Sequence, residues 1–486
     1  MVILAIQRFL DWAASLRGRK QFILALVIWN VLLFAWASFK PLTGSIQARR
    51  DASGFSHDLA QRFHYFHFYT GHFPLVTLQD SVEFSKAGAE LQIAEHGTDL
   101  AMEHKHWSRL GEHARIWAYL PHAWLTGSAE SPSIRLFNVL FFLSGSLVLF
   151  LGLCNADLQR AGVVFVGLIN LTPFFWYEVH SRENIFGLQA SLYMIVTGLL
   201  VAGIVKRTSP IRWCVSLAIG AAAIAFGAEL RNEVVSVMAC LLAMVLFSDR
   251  AWWMKGLGIA VAVLVLIGGR GLIRAHFDRS WDEAYALVVK HGGHPYTGYR
   301  IPGHKFWHPM FCGLGDFGSD KGYAWDDRVA YHYATPILNE RYAMDLRYSG
   351  AYHTDNYYDA DSLYYVKFDE IQEYEDLMKE KVTADISADP AWYLGILLQR
   401  VLRTLTVTLP FKFAGWLLFP AVWLAWRRKA FVHLILITAS LPLSATPILI
   451  HSGYGATYVS LFAYPVVVYL LLSAMDGMAK KPRTVA

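Results

Sequence analysis

The feature that limits this chain most is a set of apolar runs, each long enough to cross a hydrocarbon layer. Inside lipid no water is available to the backbone, so a spanning segment must be a helix or part of a closed barrel. A helix needs about 20 predominantly apolar residues to cross. About ten runs meet that length, near 21–39, 134–153, 162–180, 186–205, 214–230, 233–249, 257–273, 409–426, 430–450 and 457–475. Composition agrees, with 55% of residues hydrophobic and 17% charged, against about 25% charged in a typical soluble domain. The expected fold is an all-α polytopic membrane protein with two large loops on the non-cytoplasmic side.

Positive charge sets the orientation. Arg17, Arg19 and Lys20, Arg160, Lys206, Arg207 and Arg212, Arg250 and Lys255, Arg427, Arg428 and Lys429, and Lys480, Lys481 and Arg483 all fall on one side of such a layout. Basic loops stay cytoplasmic, so both termini are expected inside. Arg8, Arg17, Arg19 and Lys20 precede a full-length apolar run, which fits a retained anchor better than a cleaved signal. No N-x-S/T sequon falls in an outer loop, which favours a bacterial inner (plasma) membrane over an endoplasmic reticulum. The net charge of +5 is small, and nucleic acid is not an expected partner. Cys154, Cys214, Cys240 and Cys312 show no CxxC or CxxCH spacing, so no zinc site, haem attachment or disulfide framework is read from them.

The expected organisation is a transmembrane module over 1–273 that carries the first outer loop, 40–133. A large outer-loop domain over 274–391, an interfacial amphipathic helix over 392–408 and C-terminal transmembrane helices over 409–486 follow. Residues 274–391 hold 20 acidic against 12 basic side chains and are rich in Tyr, Trp and Gly. Such a segment can fold, with part of it irregular. Arg400 and Arg403 share one face at i,i+3, opposite Leu, Ile, Val and Trp, the pattern of a helix lying on a membrane surface. The rival reading, 392–410 as a further span, would upset the charge asymmetry.

Polar groups inside or beside the spans come next, because an ionisable group there is costly unless paired or wet. Glu178, His180, Arg182 and Glu183 cluster in WYEVHSRENIF, and Glu229, Arg231 and Glu233 in AELRNEVV. Both clusters interrupt apolar runs at the outer level; they line a polar cavity or are wet turns. In the first outer loop, Asp80 lies near the start of a stretch with helical spacing from Phe84 to Leu91. It caps that helix, where a carboxylate complements the dipole, or it is a base held at the membrane surface.

The stretch RIWAYLPHAWLTGSAESPSIRLFNVLFFLSGSLVLFL then resembles the first-loop exit and second span of the polytopic GT-C glycosyltransferases, which include protein mannosyltransferases and aminoarabinose transferases. Tyr119, Pro121, Gly127, Arg135 and Asn138 carry the resemblance, followed by Pro173 with Glu183 and by the basic turn in AELRNEVV. It covers roughly 21–273 and the general layout of the rest. The resemblance implies a transferase that moves a sugar from a polyprenyl-phosphate donor to a glycan, lipid or protein acceptor on the outer face. It implies an acidic first-loop base; Asp80 matches best, with Phe84, Ala87 and Gly97 after it, while Asp51 and Asp58 are rivals. Arg182, Glu183 and Arg231 match positions near the lipid phosphate, with Arg400 or Arg403 as further cations for a leaving group that charge-assisted contacts would hold. Attack in one displacement would invert the sugar. The late Arg-Tyr of the family is absent; HSGYGATYVSL stands there, offering His451 and Tyr454.

The second loop carries HGGHPYTGYRIPGHKFWHPMFCGLGDFGSDKGYAWDDRVAYHYA. Trp307, Tyr323 and Trp325 could stack on a sugar, and Asp326 and Asp327 could bind a sugar hydroxyl, the acceptor or a divalent cation. Glu178 and His180 are further candidates for substrate contact. No fixed ligand spacing such as HExxH marks a metal site, so a divalent cation is an open cofactor. Two other classes compete: a transporter or flippase, against which stand the few Gly/Pro breaks in paired positions and the lack of an evident inverted repeat, and a non-catalytic assembly protein of the cell envelope.

Overall fold

The structure, a computed structural model, describes residues 2–39, 113–126, 133–181, 187–206, 208–231, 234–290, 306–343, 356–359, 364–367, 372–452 and 460–479. Helices dominate, and the strands among the described residues form one antiparallel hairpin, Asn356–Asp359 with Tyr364–Lys367. Among the described residues, six helices are long and apolar enough to cross a membrane: Leu16–Ser38, Arg135–Asn155, Leu188–Lys206, Pro210–Leu230, Trp252–Ser280 and Phe431–Leu449. Gln159–Leu171 and Pro173–Ser181 make a seventh if taken together as one span bent by 55°. The chain is a multi-pass membrane protein.

The remaining three expected spans are shorter helices. Val235–Phe247 has 13 residues and Ala463–Ala479 has 17, so at 1.5 Å per residue they reach about 20 and 25 Å, less than the hydrocarbon thickness. The expected 409–426 span is broken: a 3₁₀ turn, Ala414–Leu417, precedes a ten-residue helix, Leu418–Arg427. Pro410 explains the break, since it interrupts any helix entering from 406. In the opposite direction, Trp252–Lys290 runs 39 residues where the apolar run alone predicted an end near 273. No Gly or Pro follows Gly271 until Gly292, so nothing local stops the helix once the lipid ends.

Two helices set the tightness of the membrane core. Arg135–Asn155 and Leu188–Lys206 cross with Gly152 against Gly198; a Cβ on Gly152 would lie 2.0 Å from the Gly198 carbonyl oxygen. Lipid gives apolar faces no reason to associate, so close approach through small residues is what gains packing contact. Around this seam Phe142, Phe150, Tyr193, Leu192 and Trp213 are fully buried. Leu24, Ile28, Val31, Leu32, Leu264 and Ile267 are exposed on outer faces, which in water would be a liability and in lipid is the ordinary surface.

A second core, the outer module, lies in the segment expected to form the large outer loop. Trp307–Gly313, Asp327–Tyr342 and Gln372–Ala388 bury Phe311, Leu314, Ala334, Leu338, Tyr374 and Met378 between them. Pro390–Thr406 belongs to both bodies. Its first half gives Ile396, Trp392 and Tyr393 to the outer core, and its second half gives Val401 and Leu405 to a cluster with Ala414, Phe462, Ala463 and Val467. This helix, expected to lie on the outer membrane surface over 392–408, is a strut that packs against both the outer module and the membrane helices.

Candidate functional site

Arg400 sits in the middle of that strut and is fully buried, as is Asp316 at 1% side-chain exposure. Asp316 follows Trp307–Gly313, and its N–H donates to the Gly313 carbonyl in a tight turn (2.9 Å). Its Oδ2 accepts from Arg400 Nε (3.0 Å), from the Ser452 N–H (2.7 Å) and from the Ser452 hydroxyl (3.0 Å). Arg400 Nη1 donates to the carbonyls of Ile448 (3.3 Å) and Leu449 (3.1 Å). Those carbonyls end the Phe431–Leu449 span, where the last turn has no intrahelical donors and the dipole favours a cation. Burial pulls the Arg400 guanidinium below its usual pKa, while Asp316 acts against that fall.

Gly313 lets the two bodies touch at this point: a Cβ there would lie 2.0 Å from the Ile450 carbonyl oxygen. Beside the pair, Arg403 Nη1 donates to the Ser452 hydroxyl (3.1 Å), and its guanidinium lies 5.2 Å from the Phe317 ring centre. The Trp325 and His451 rings pair at 4.4 Å. The seam therefore gathers four of the residues singled out from sequence, Arg400, Arg403, Trp325 and His451, from three separate stretches of chain. Arg403 and His451 are half-buried and Trp325 is exposed.

The other expected site residues lie elsewhere. Trp307 starts the helix that carries His308, and its N–H donates to Glu375 (2.8 Å). Asp326 caps Asp327–Tyr342 and binds Arg328, which holds its carboxyl below the usual range against a smaller opposing effect of burial. Asp327 Oδ1 faces His308 Nε2 at 3.2 Å. Glu178 and His180 are buried in a π-helical turn, Trp176–Ser181. His180 Nε2 meets Asn30 Oδ1 (3.1 Å), Asn30 donates to Asn170 (3.0 Å), and Asn170 donates to Ser146 (3.0 Å). Arg231 ends Pro210–Leu230 and is half-buried. Asp51, Asp58, Asp80, Arg182, Glu183 and Tyr454 lie outside the described residues.

Several polar partners were not picked out beforehand. Arg270 (2.6 Å) and Arg274 (3.1 Å), from the long helix, hold Glu229, which the sequence groups with Arg231 and Glu233 and which is fully buried. The signal was present: an acid in one apolar run and two arginines at i,i+4 near the end of another demand partners. Ser452 and Asn30 carried no pattern of their own, and Asp316 stood out only as one of several acids in the Gly-rich second loop. At the other end of the Phe431–Leu449 span from the seam, Ile204, Phe247, Leu418, Trp423, Phe431 and Ile435 line an apolar groove of about 1230 Å³. Its walls suit acyl chains and offer little to a polar reaction. No family model matches this chain, and no curated protein or solved structure matches it significantly.

Proposed function

We propose that this chain is a glycosyltransferase of the cell envelope, taking a sugar from a polyprenyl-phosphate donor at the outer face of a bacterial inner membrane, with both termini cytoplasmic. The observation that carries the reading is the convergence at the seam: a buried ion pair, Asp316 with Arg400, fixes Arg403, the Ser452 hydroxyl and the Trp325–His451 ring pair where the outer module meets the membrane helices. A guanidinium and a hydroxyl side by side suit a phosphate diester, and an exposed aromatic face suits a sugar ring.

In this reading Arg400 is a positioning residue, because its charge is already matched by Asp316. Arg403 contacts the donor phosphate and stabilises it as it leaves. Arg182, Glu183 and Arg231 remain proposed contributors to the phosphate pocket. A first-loop carboxylate, Asp80 before Asp51 or Asp58, accepts the proton of the acceptor hydroxyl. One displacement at the anomeric carbon then inverts the sugar. No nucleotide is required on this side of the membrane.

The test is release of polyprenyl phosphate by the purified full chain, given a panel of polyprenyl-phosphate sugars. Arg403→Ala should lower turnover by about 100-fold, the scale of losing a donor aimed at developing charge, with Arg403→Lys recovering part of it. Wild-type chain inert toward the whole panel would move the reading to an assembly protein. That second reading is favoured by the separate core of the outer module, which could serve as a partner surface.

A further inference from the structure

His308 and Cys312 stand one turn apart on Trp307–Gly313, on one face of the helix. Asp327, the first residue of Asp327–Tyr342, comes to meet them, placed by the Asp326 cap. His308 Nε2 lies 3.2 Å from Asp327 Oδ1, Cys312 Sγ lies 3.7 Å from the same oxygen and 3.9 Å from His308 Nε2. The three potential ligand atoms thus form a triangle, all within 4.8 Å of one another.

A tetrahedral zinc ion with Zn–N and Zn–O near 2.0–2.2 Å and Zn–S near 2.3 Å sets ligand-to-ligand distances of about 3.3–3.6 Å. The observed edges are within a few tenths of an ångström of those. Orientation agrees as well. His308 Nδ1 is 2.6 Å from the hydroxyl of fully buried Tyr374. With Nδ1–H donating to that oxygen, the Nε2 lone pair points at the triangle, the outer-shell arrangement that ligating histidines use. A His–Asp hydrogen bond alone would need no thiol, and the Sγ contacts are too long to add much to it.

We propose that His308, Cys312 and Asp327 bind one zinc ion in the outer module, the thiol proton leaving to solvent as the thiolate forms. The donor set of one imidazole, one thiolate and one carboxylate favours zinc over calcium or magnesium, which take oxygen ligands. Three protein ligands leave a fourth position. Cys312 is buried, but the side chains of His308 and Asp327 are 17% and 27% exposed, so the open position faces solvent on their side. Zinc-bound water or a substrate oxygen fits there. The site stands on different residues from the seam and does not depend on the transferase reading.

The experiment uses the full chain in detergent or nanodiscs, loaded with Zn²⁺ or Co²⁺, desalted and measured for bound metal and absorption. The expected result is one equivalent of zinc per chain, retained against excess Mg²⁺. The cobalt form should show a thiolate-to-metal charge-transfer band that Cys312→Ser removes. Tyr374→Phe should weaken metal affinity by about tenfold while binding persists, the scale of losing an outer-shell partner. His308→Ala with Asp327→Asn should abolish stoichiometric binding. Should those ligand variants not fold, the wild-type cobalt spectrum decides alone, since Cys154, Cys214 and Cys240 lie in membrane helices away from any histidine–carboxylate cluster among the described residues. A wild-type chain with no stoichiometric metal, or a cobalt form without a thiolate band, overturns the proposal.

Discussion

Arg400 Nε and Asp316 Oδ2, 84 residues apart in sequence, meet at 3.0 Å as a wholly buried ion pair. The pair bolts the outer module to the end of the Phe431–Leu449 span, because both partners also bind that segment's backbone or the serine just past it. Desolvating two charges is expensive, and the shared contacts with Ile448, Leu449 and Ser452 are what offset it.

Breaking the pair from one side should therefore be severe. Asp316→Asn or Arg400→Met is expected to destabilise by about 3–5 kcal/mol, since an uncompensated charge or donor set stays buried. The double variant Asp316→Leu/Arg400→Met should recover a large part of that loss. A double-mutant cycle by chemical denaturation in detergent checks this; strictly additive effects would mean that the two groups are not coupled.

Gly313→Ala tests the same seam sterically. The new methyl would fall 2.0 Å from the Ile450 carbonyl oxygen, and backbone cannot swing aside as a side chain can. A cost of about 1–3 kcal/mol is expected, with faster protease cleavage between 306 and 406 while the membrane core stays folded. Unchanged proteolysis would show that the outer module is not held there.

Glu229→Gln should leave Arg270 and Arg274 facing a neutral amide. Glu229 is wholly buried, but the arginines are 24% and 47% exposed and stay partly wet. The expected cost is about 2 kcal/mol, below that of a pair with both partners buried. A thermal melt of the detergent-solubilised variant measures it, and Glu229→Gln with both arginines changed to Met should be milder.

Asp385 gives a pH dependence. Burial alone would raise its carboxyl pKa, but the Tyr323 hydroxyl (2.7 Å) and the Lys381 ammonium (3.0 Å) outweigh that and hold it below the usual value. A depressed carboxylate contributes stability that is complete above the unfolded pKa, about 3.9, and is lost as pH falls through the folded value. Asp385→Asn should lower stability at neutral pH and flatten its decline below about pH 4. Urea midpoints measured across that range would refute the assignment if wild type and variant decline in parallel.

Sequence made the membrane architecture legible where apolar runs were long and unbroken. Leu16–Phe39, Arg135–Asn155 and Pro210–Leu230 follow directly from composition. Where a span was short or broken, hydropathy smoothed over the event: Pro410 and the 3₁₀ turn at Ala414–Leu417 disappear in an average. Arg400 and Arg403 drew notice as a charged face, yet the acid that buries Arg400 lies in a Gly-rich loop with no periodicity. Nothing in one dimension announces that Gly313 must touch Ile450. The His308–Cys312 spacing was visible in the sequence, but its third member, Asp327, became a neighbour only through the packing of two helices.

In the proposed function the seam holds a lipid phosphate. A structure of the full chain in nanodiscs with a polyprenyl-phosphate sugar tests it most directly. Phosphate density is expected within about 3 Å of the Arg403 guanidinium and the Ser452 hydroxyl, with the sugar against Trp325 or His451. A donor phosphate bound elsewhere in the bundle, with Arg403 making no contact to it, would rule out the seam as the donor site.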